Sequence, residues 1–228
     1  MKQLLPPSTV ILAVTAAVLA AAVSAAIPLA ENGETAYAIV KPKNASAVDT
    51  YAAETLGNYL NQITGAEFAI TGSSDLGADQ PAIFVGLSAP ALKRLGEENP
   101  MSALEEQEHV SRSKDGDIFL YGKGIHGQLW AVMNFLEEAL GWRWYALHED
   151  PVVPQKATVS LEPFEYTDGF SFPYRRGSIA FDVDYFYQNG INQGWEAKAW
   201  GDAYQPVLPA TRWVHTAHSY IPPTPDSK

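Results

Sequence analysis

The residues with chemical potential fall into four groups. Gly122, Gly124 and Gly127 have the G-x-G-x-x-G spacing, between an expected strand and an expected helix. In a dinucleotide site, backbone N–H groups at such a helix start cradle a pyrophosphate, and Glu149 or Asp150 is placed to hold a ribose. The alternative is a set of glycines that lets a strand turn tightly into a helix. The surroundings favour the turn. The preceding strand belongs to an expected hairpin, a whole α/β segment comes first, and no second set of βαβ units follows. No cofactor is expected, and a nucleotide-binding oxidoreductase remains only as an alternative. His215 and His218 stand three apart, without a third ligand or an HExxH helix, so no metal is expected. Asp182 and Asp184 share one face of an expected strand, as an acid and nucleophile pair would. Asp-x-Asp is common, however, and no catalytic residue is assigned. Trp142-Arg143-Trp144-Tyr145 combines ring faces that stack on sugars with a cation that pairs with a uronic carboxylate. Core packing, with Arg143 reaching outward along its stem, is the competing reading. Trp195, Trp200 and Trp213 carry the same ambiguity.

The rest of the composition narrows the partners. The chain has 228 residues, no cysteine, and 26 acids against 15 bases, for a formal charge of −11. Zero cysteine excludes a thiol nucleophile, a thiolate zinc site and a disulfide-stapled fold. The acidic balance argues against nucleic acid, whose phosphates need clustered Lys and Arg. Hydrophobic residues make up 46%, enough for a packed core. Asn44-Ala45-Ser46 is a lone glycosylation sequon, close to chance frequency.

The elements that must position these residues read as follows. Lys2, the apolar run Val10–Val23 and the small residues Ser24, Ala25 and Ala26 have the form of a secretory signal over 1–26. An uncleaved anchor is the rival reading. No later segment is long enough to span a membrane. Export without disulfides fits a secreted, periplasmic or cell-surface bacterial protein. Strands are expected at Ala36–Lys41, Phe68–Thr71, Ala82–Val85, Glu108–Ser113, Asp117–Tyr121, Trp142–Ala146, Val152-Val153 and Thr158–Leu161. Lys114-Asp115-Gly116 signals a hairpin. A helix from Val48 to Ile63 begins at a Ser46/Asp49 capping box and ends at Gly65. Ala89–Leu95 is a short helix, and a third helix carries Ile125, Leu129, Val132, Met133, Leu136 and Leu140, with Gly141 as its cap. From Phe164 the texture becomes aromatic and irregular, with one expected strand at Tyr174–Val183. The expected division is therefore 27–165 and 166–228. The second part, roughly 60 residues, is too irregular to bury its own aromatics.

Three segments taken in order resemble one family. They are Ala52–Gly65; Gly122 through Phe135-Leu136-Glu137 and Leu140–Tyr145 to Val152-Val153-Pro154; and Pro173-Tyr174-Arg175 with Trp213-Val214-His215-Thr216 and Ile221-Pro222-Pro223. The family is large, mostly bacterial and uncharacterised. Its N-terminal part is similar to the accessory domain of alpha-glucuronidases, which also precedes the barrel of beta-N-acetylhexosaminidases. The resemblance implies an α+β accessory domain, a mixed sheet with two main helices on one face, followed by the incomplete start of a (β/α)₈ barrel. It implies a carbohydrate partner, the protein's own missing barrel as a second partner, and catalytic carboxylates beyond the end of this chain. His215 and Arg175 are carried over as substrate-binding residues, beside Trp142 and Trp144. There are departures: His126 replaces a usual Arg, Trp142 a frequent Cys, and Ala217-His218 a usual aromatic, while the tail after Pro223 does not match. The expected function is that of an exported, non-catalytic accessory portion of a glycoside-hydrolase-like protein. A stand-alone glycan-binding module is the alternative from another class.

Overall fold

Ala82-Ile83-Phe84-Val85 is buried at every position, the signature of a strand inside a parallel array covered on both faces. The computed structural model describes residues 26–145 and 149–172, together with Arg175 and Gly190. In chain order the elements are β1 (Ile27–Ala30), β2 (Ala38–Lys41), α1 (Ala47–Thr64), β3 (Ala69–Gly72), β4 (Ala82–Val85), α2 (Ala89–Leu95), a 3₁₀ turn (Pro100–Ala103), β5 (His109–Lys114), β6 (Asp117–Gly122), α3 (Gly127–Glu138), β7 (Val159–Leu161) and β8 (Glu165–Asp168). The described residues form an α+β fold with a mixed six-stranded sheet in the order β3-β2-β4-β6-β5-β8 and a separate β1–β7 pair. Strands β3, β2, β4 and β6 run parallel, with Ile39 opposite Ile83 and Ile83 opposite Ile118. β5 and β8 add antiparallel pairings.

Strand alternation sorts the core into two layers. Ile39, Ile83, Val85, Ile118 and Leu120 face the cluster formed with α1 and α3. Ala38, Val40, Phe84, Phe119 and Tyr121 face the cluster that includes Ala91 and Leu95 of α2. The two long helices share one face, and the short α2 covers the other. Helix α1 starts where expected. Ser46 Oγ accepts from the Asp49 N–H at 3.1 Å, and the Asp49 carboxylate accepts from the Ser46 N–H at 3.0 Å. Its end is fixed by Gly65 at φ 75°. The β5–β6 turn places Asp115 and Gly116 at φ 50° and 86°, the two left-handed positions of a tight hairpin. Beside it, Arg94 Nη1 reaches Asp117 at 3.1 Å, and Asp117 also accepts the Ala82 N–H at 2.9 Å. That ion pair locks α2 onto the sheet.

Some expectations need correction. β1 is not among the expected strands, the first of which begins at Ala36. In the fold Ile27 and Ala30 pair with β7, and both are buried together with Leu29. The sheet also runs past residue 165. The polar strand Glu165–Asp168, which is not among the expected strands, pairs with β5. Trp142 and its neighbours form no strand in the described part of 142–146, where Arg143 makes a single bridge to Val152. Ile125 lies before α3 and is 41% exposed, outside the helix stripe. Residues 1–25 and the expected strand Tyr174–Val183, apart from Arg175, lie outside the described residues, as do Asp182, Asp184, Trp195, Trp200, Trp213, His215 and His218. Among the described residues, no helix is long and apolar enough to cross a membrane.

Candidate functional site

The glycine triplet is consumed by its own turn. β6 pairs antiparallel with β5 yet parallel with β4, so the strand before the loop is more like that of a nucleotide fold than the hairpin alone implies. The loop itself is not. A Cβ on Gly122 would stand 2.6 Å from the Gly127 carbonyl oxygen, so the two glycines exist to let strand and helix touch. Gly124 has φ 83°, and a Cβ there would run into the Glu106 carboxylate. The Gly127 N–H already points to the Gly124 carbonyl at 3.4 Å. A carboxylate beside the loop opposes a pyrophosphate rather than welcoming it.

Trp142 is fully buried. Its ring lies 5.0 Å from Tyr59 and 6.2 Å from Trp144, within the cluster between α1, α3 and the sheet. A wholly enclosed indole offers no face to a sugar, so this residue packs the core and does not bind ligand in this conformation. Trp144 is half-buried against the same cluster. Neither indole N–H finds an acceptor among the described residues. Arg143 turns inward rather than out to solvent. Its Nη1 donates to the Glu137 carbonyl and to the Trp142 carbonyl, satisfying the end of α3. Tyr145, at 76% exposure, is the aromatic of this run that stays free to meet a ring.

Arg175 belongs to a different group, brought together by the fold. Its guanidinium carbon lies 3.6 Å above the Phe170 ring centre and 5.0 Å from that of Trp130. Around Trp130 stand His126 at 5.3 Å, His109 at 6.4 Å and Phe170 at 4.6 Å. His109 opens β5, its Nδ1 lying 3.3 Å from the Gln107 carbonyl oxygen. His126 is the residue from which α3 starts. Burial, with the Arg175 charge adding to it, pushes the His126 imidazole down to about 4. Burial likewise lowers His109, with Gln107 and Asp168 opposing. Both rings are therefore neutral at pH 7. Sequence reasoning noted His126 only as a departure and did not single out Trp130 or His109. The available signal was the i, i+4 spacing of His126 and Trp130, which stacks them on one helix side.

A groove of about 370 Å³ lies elsewhere, lined by Glu54, Asn58 and Asn61 of α1 with Glu67, Phe68 and Ile70. Its polar groups suit hydroxyls, but the Asn61 carboxamide already donates to the Ala66 carbonyl at 3.2 Å. Among the described residues, no group of three or more His, Asp or Glu is arranged to hold a metal.

No family model and no curated protein matches the sequence. Among solved structures, one similar chain is a family GH115 4-O-methyl-alpha-glucuronidase with specificity for decorated arabinogalactans. The identity is 15%, the TM-score 0.45, and the match covers 64% of this chain and 19% of that one. This chain thus spans about a fifth of the length of that structure.

Proposed function

We propose that the chain is the exported N-terminal accessory portion of a glycoside-hydrolase-like protein acting on carbohydrate, and that it is itself non-catalytic. One observation carries the reading. Three ordered sequence segments resemble a family for which the accessory architecture is a mixed sheet with two long helices on one face. In the described residues, α1 and α3 lie together on one face of a mixed sheet. On this reading the glycines, Trp142 and the paired capping groups build a scaffold. The reacting carboxylates belong to a barrel encoded beyond Lys228, at the C-terminal ends of its strands. Residues 1–26 direct export, and the division between accessory region and barrel falls just after β8.

The test is hydrolysis of aryl glycosides and of uronic-acid-substituted oligosaccharides. The 228-residue chain is expected to release no sugar, whereas a chain extended through the following reading frame is expected to do so. Turnover by the 228-residue chain alone would refute the non-catalytic reading. An extended chain that encodes no barrel would refute the glycoside-hydrolase reading itself.

A further inference from the structure

Phe170 and Arg175 come after β8, in a stretch without regular periodicity, yet their contacts are specific. The Phe170 ring meets Trp130 edge-on at 4.6 Å and His109 at 5.8 Å. Arg175 then lies over the outer face of Phe170. Two of its donors turn to the chain's own carbonyls: Nη1 to Phe172 at 2.6 Å and Nε to Gly190 at 2.5 Å. A weakly hydrated planar cation suits this position, because it stacks on a ring and donates in its plane at once. Gly190 fits for a steric reason. Its φ is +64°, and a Cβ there would stand 2.9 Å from Phe170 Cζ. Gly169 is equally confined, since a Cβ would meet Glu108 Cγ at 2.9 Å. Two points of the chain fifteen residues apart are thus tied to one ring, and that ring is seated on α3 and β5.

We propose that Phe170, Arg175 and Gly190 form a clasp fastening the chain beyond β8 to the Trp130 side of α3. The partner of this surface is the protein's own downstream chain. Arg175 is then a positioning residue rather than a ligand for a uronic carboxylate, since its stacking face and two of its donors are committed within the chain. The aromatic density after Phe164 has a structural use here: one ring from it completes a platform that α3 alone leaves half built.

Chymotrypsin, which cuts after Phe170, tests the clasp on the full chain. Arg175→Ala and Gly190→Ala are each expected to speed cleavage at that bond about tenfold, because cleavage tracks the population of the opened segment. Arg175→Lys is expected to recover part of the protection, having the charge but not the planar fork. Gly190→Ala changes no charge, so its agreement with Arg175→Ala separates a clasp from a general electrostatic effect. If Arg175→Ala loses its circular dichroism signal, Gly190→Ala alone decides. Equal cleavage rates in the unaltered and Gly190→Ala chains would overturn the proposal. So would saturable binding of glucuronic acid that Arg175→Ala abolishes while leaving cleavage unchanged.

Discussion

Trp142 and Trp130 are both buried tryptophans, and they do opposite things. Trp142 is enclosed by Tyr59, Trp144 and the aliphatic layer between α1, α3 and the sheet. Trp130 sits at the rim of that layer, among two histidines, a phenylalanine and an arginine from beyond β8. Both indole N–H groups lack an acceptor among the described residues, so hydrogen bonding does not separate them. The neighbours do. An apolar surround makes a tryptophan a volume to be filled, whereas a polar rim makes it a platform whose occupancy depends on charge and on a second chain segment. The aromatic cluster that looked most like a sugar site is the filled one. The cluster with no motif is the one that meets the downstream chain.

The largest expected effect breaks the filled side. Trp142→Ala removes a fully buried indole from a close-packed layer, and the loss is expected to be about 3–5 kcal/mol. That is a large share of the stability of an ordinary domain. Urea titration would measure it, and a loss below about 1 kcal/mol would mean the site is not packed as described.

The next effect belongs to the rim. His126 and His109 are held below the usual imidazole value of 6.5, chiefly by burial. Arg175 opposes the protonation of both, while Asp168 and Glu108 favour that of His109. A histidine with a lowered folded pKa binds fewer protons folded than unfolded. Its contribution is therefore full above pH 6.5 and is lost as pH falls toward the His126 value of about 4. Stability at pH 5 is expected to lie about 2 kcal/mol below that at pH 7.5 from His126 alone. His126→Gln should remove this part of the slope and leave the part due to His109, while substitutions at Trp142 should leave both in place. Melting curves at both pH values would check this, and a slope undiminished in His126→Gln would place its origin elsewhere.

The same contrast explains what could be read in advance. Elements governed by local chemistry were legible: the Ser46/Asp49 capping box, the Gly65 cap, the Asp115-Gly116 turn and the α2 limits all follow from short-range rules. So was the fully buried run Ala82–Val85. β1 and β8 were not legible, because each is a strand only through a partner distant in sequence. Ile27 pairs with Leu161, and Tyr166 with Ser111. β8 has no apolar alternation at all, since its side chains are mostly exposed. The same limit hid the rim. Nothing in the sequence near His109 announces His126 or Arg175, and only the β5–β6 hairpin and the start of α3 bring them together. The Trp142–Tyr145 run misled for the converse reason. Its residue types suit sugar stacking, but the interior of the fold decides which rings reach solvent.

The smallest expected effect sharpens that last point. Tyr145 is 76% exposed, so Tyr145→Ala removes little buried surface and should change stability by less than about 0.5 kcal/mol. Trp142→Ala, three residues away, acts on the same sequence motif with the largest cost. Any glycan affinity in this motif must reside where a ring face is free, because stacking needs an accessible face. If the chain binds an oligosaccharide through this run, calorimetric titration should show affinity lost in Tyr145→Ala with the melting temperature intact. If binding instead survives Tyr145→Ala unchanged, Tyr145 carries none of it, and the contacts must be sought at half-buried Trp144 or on another surface.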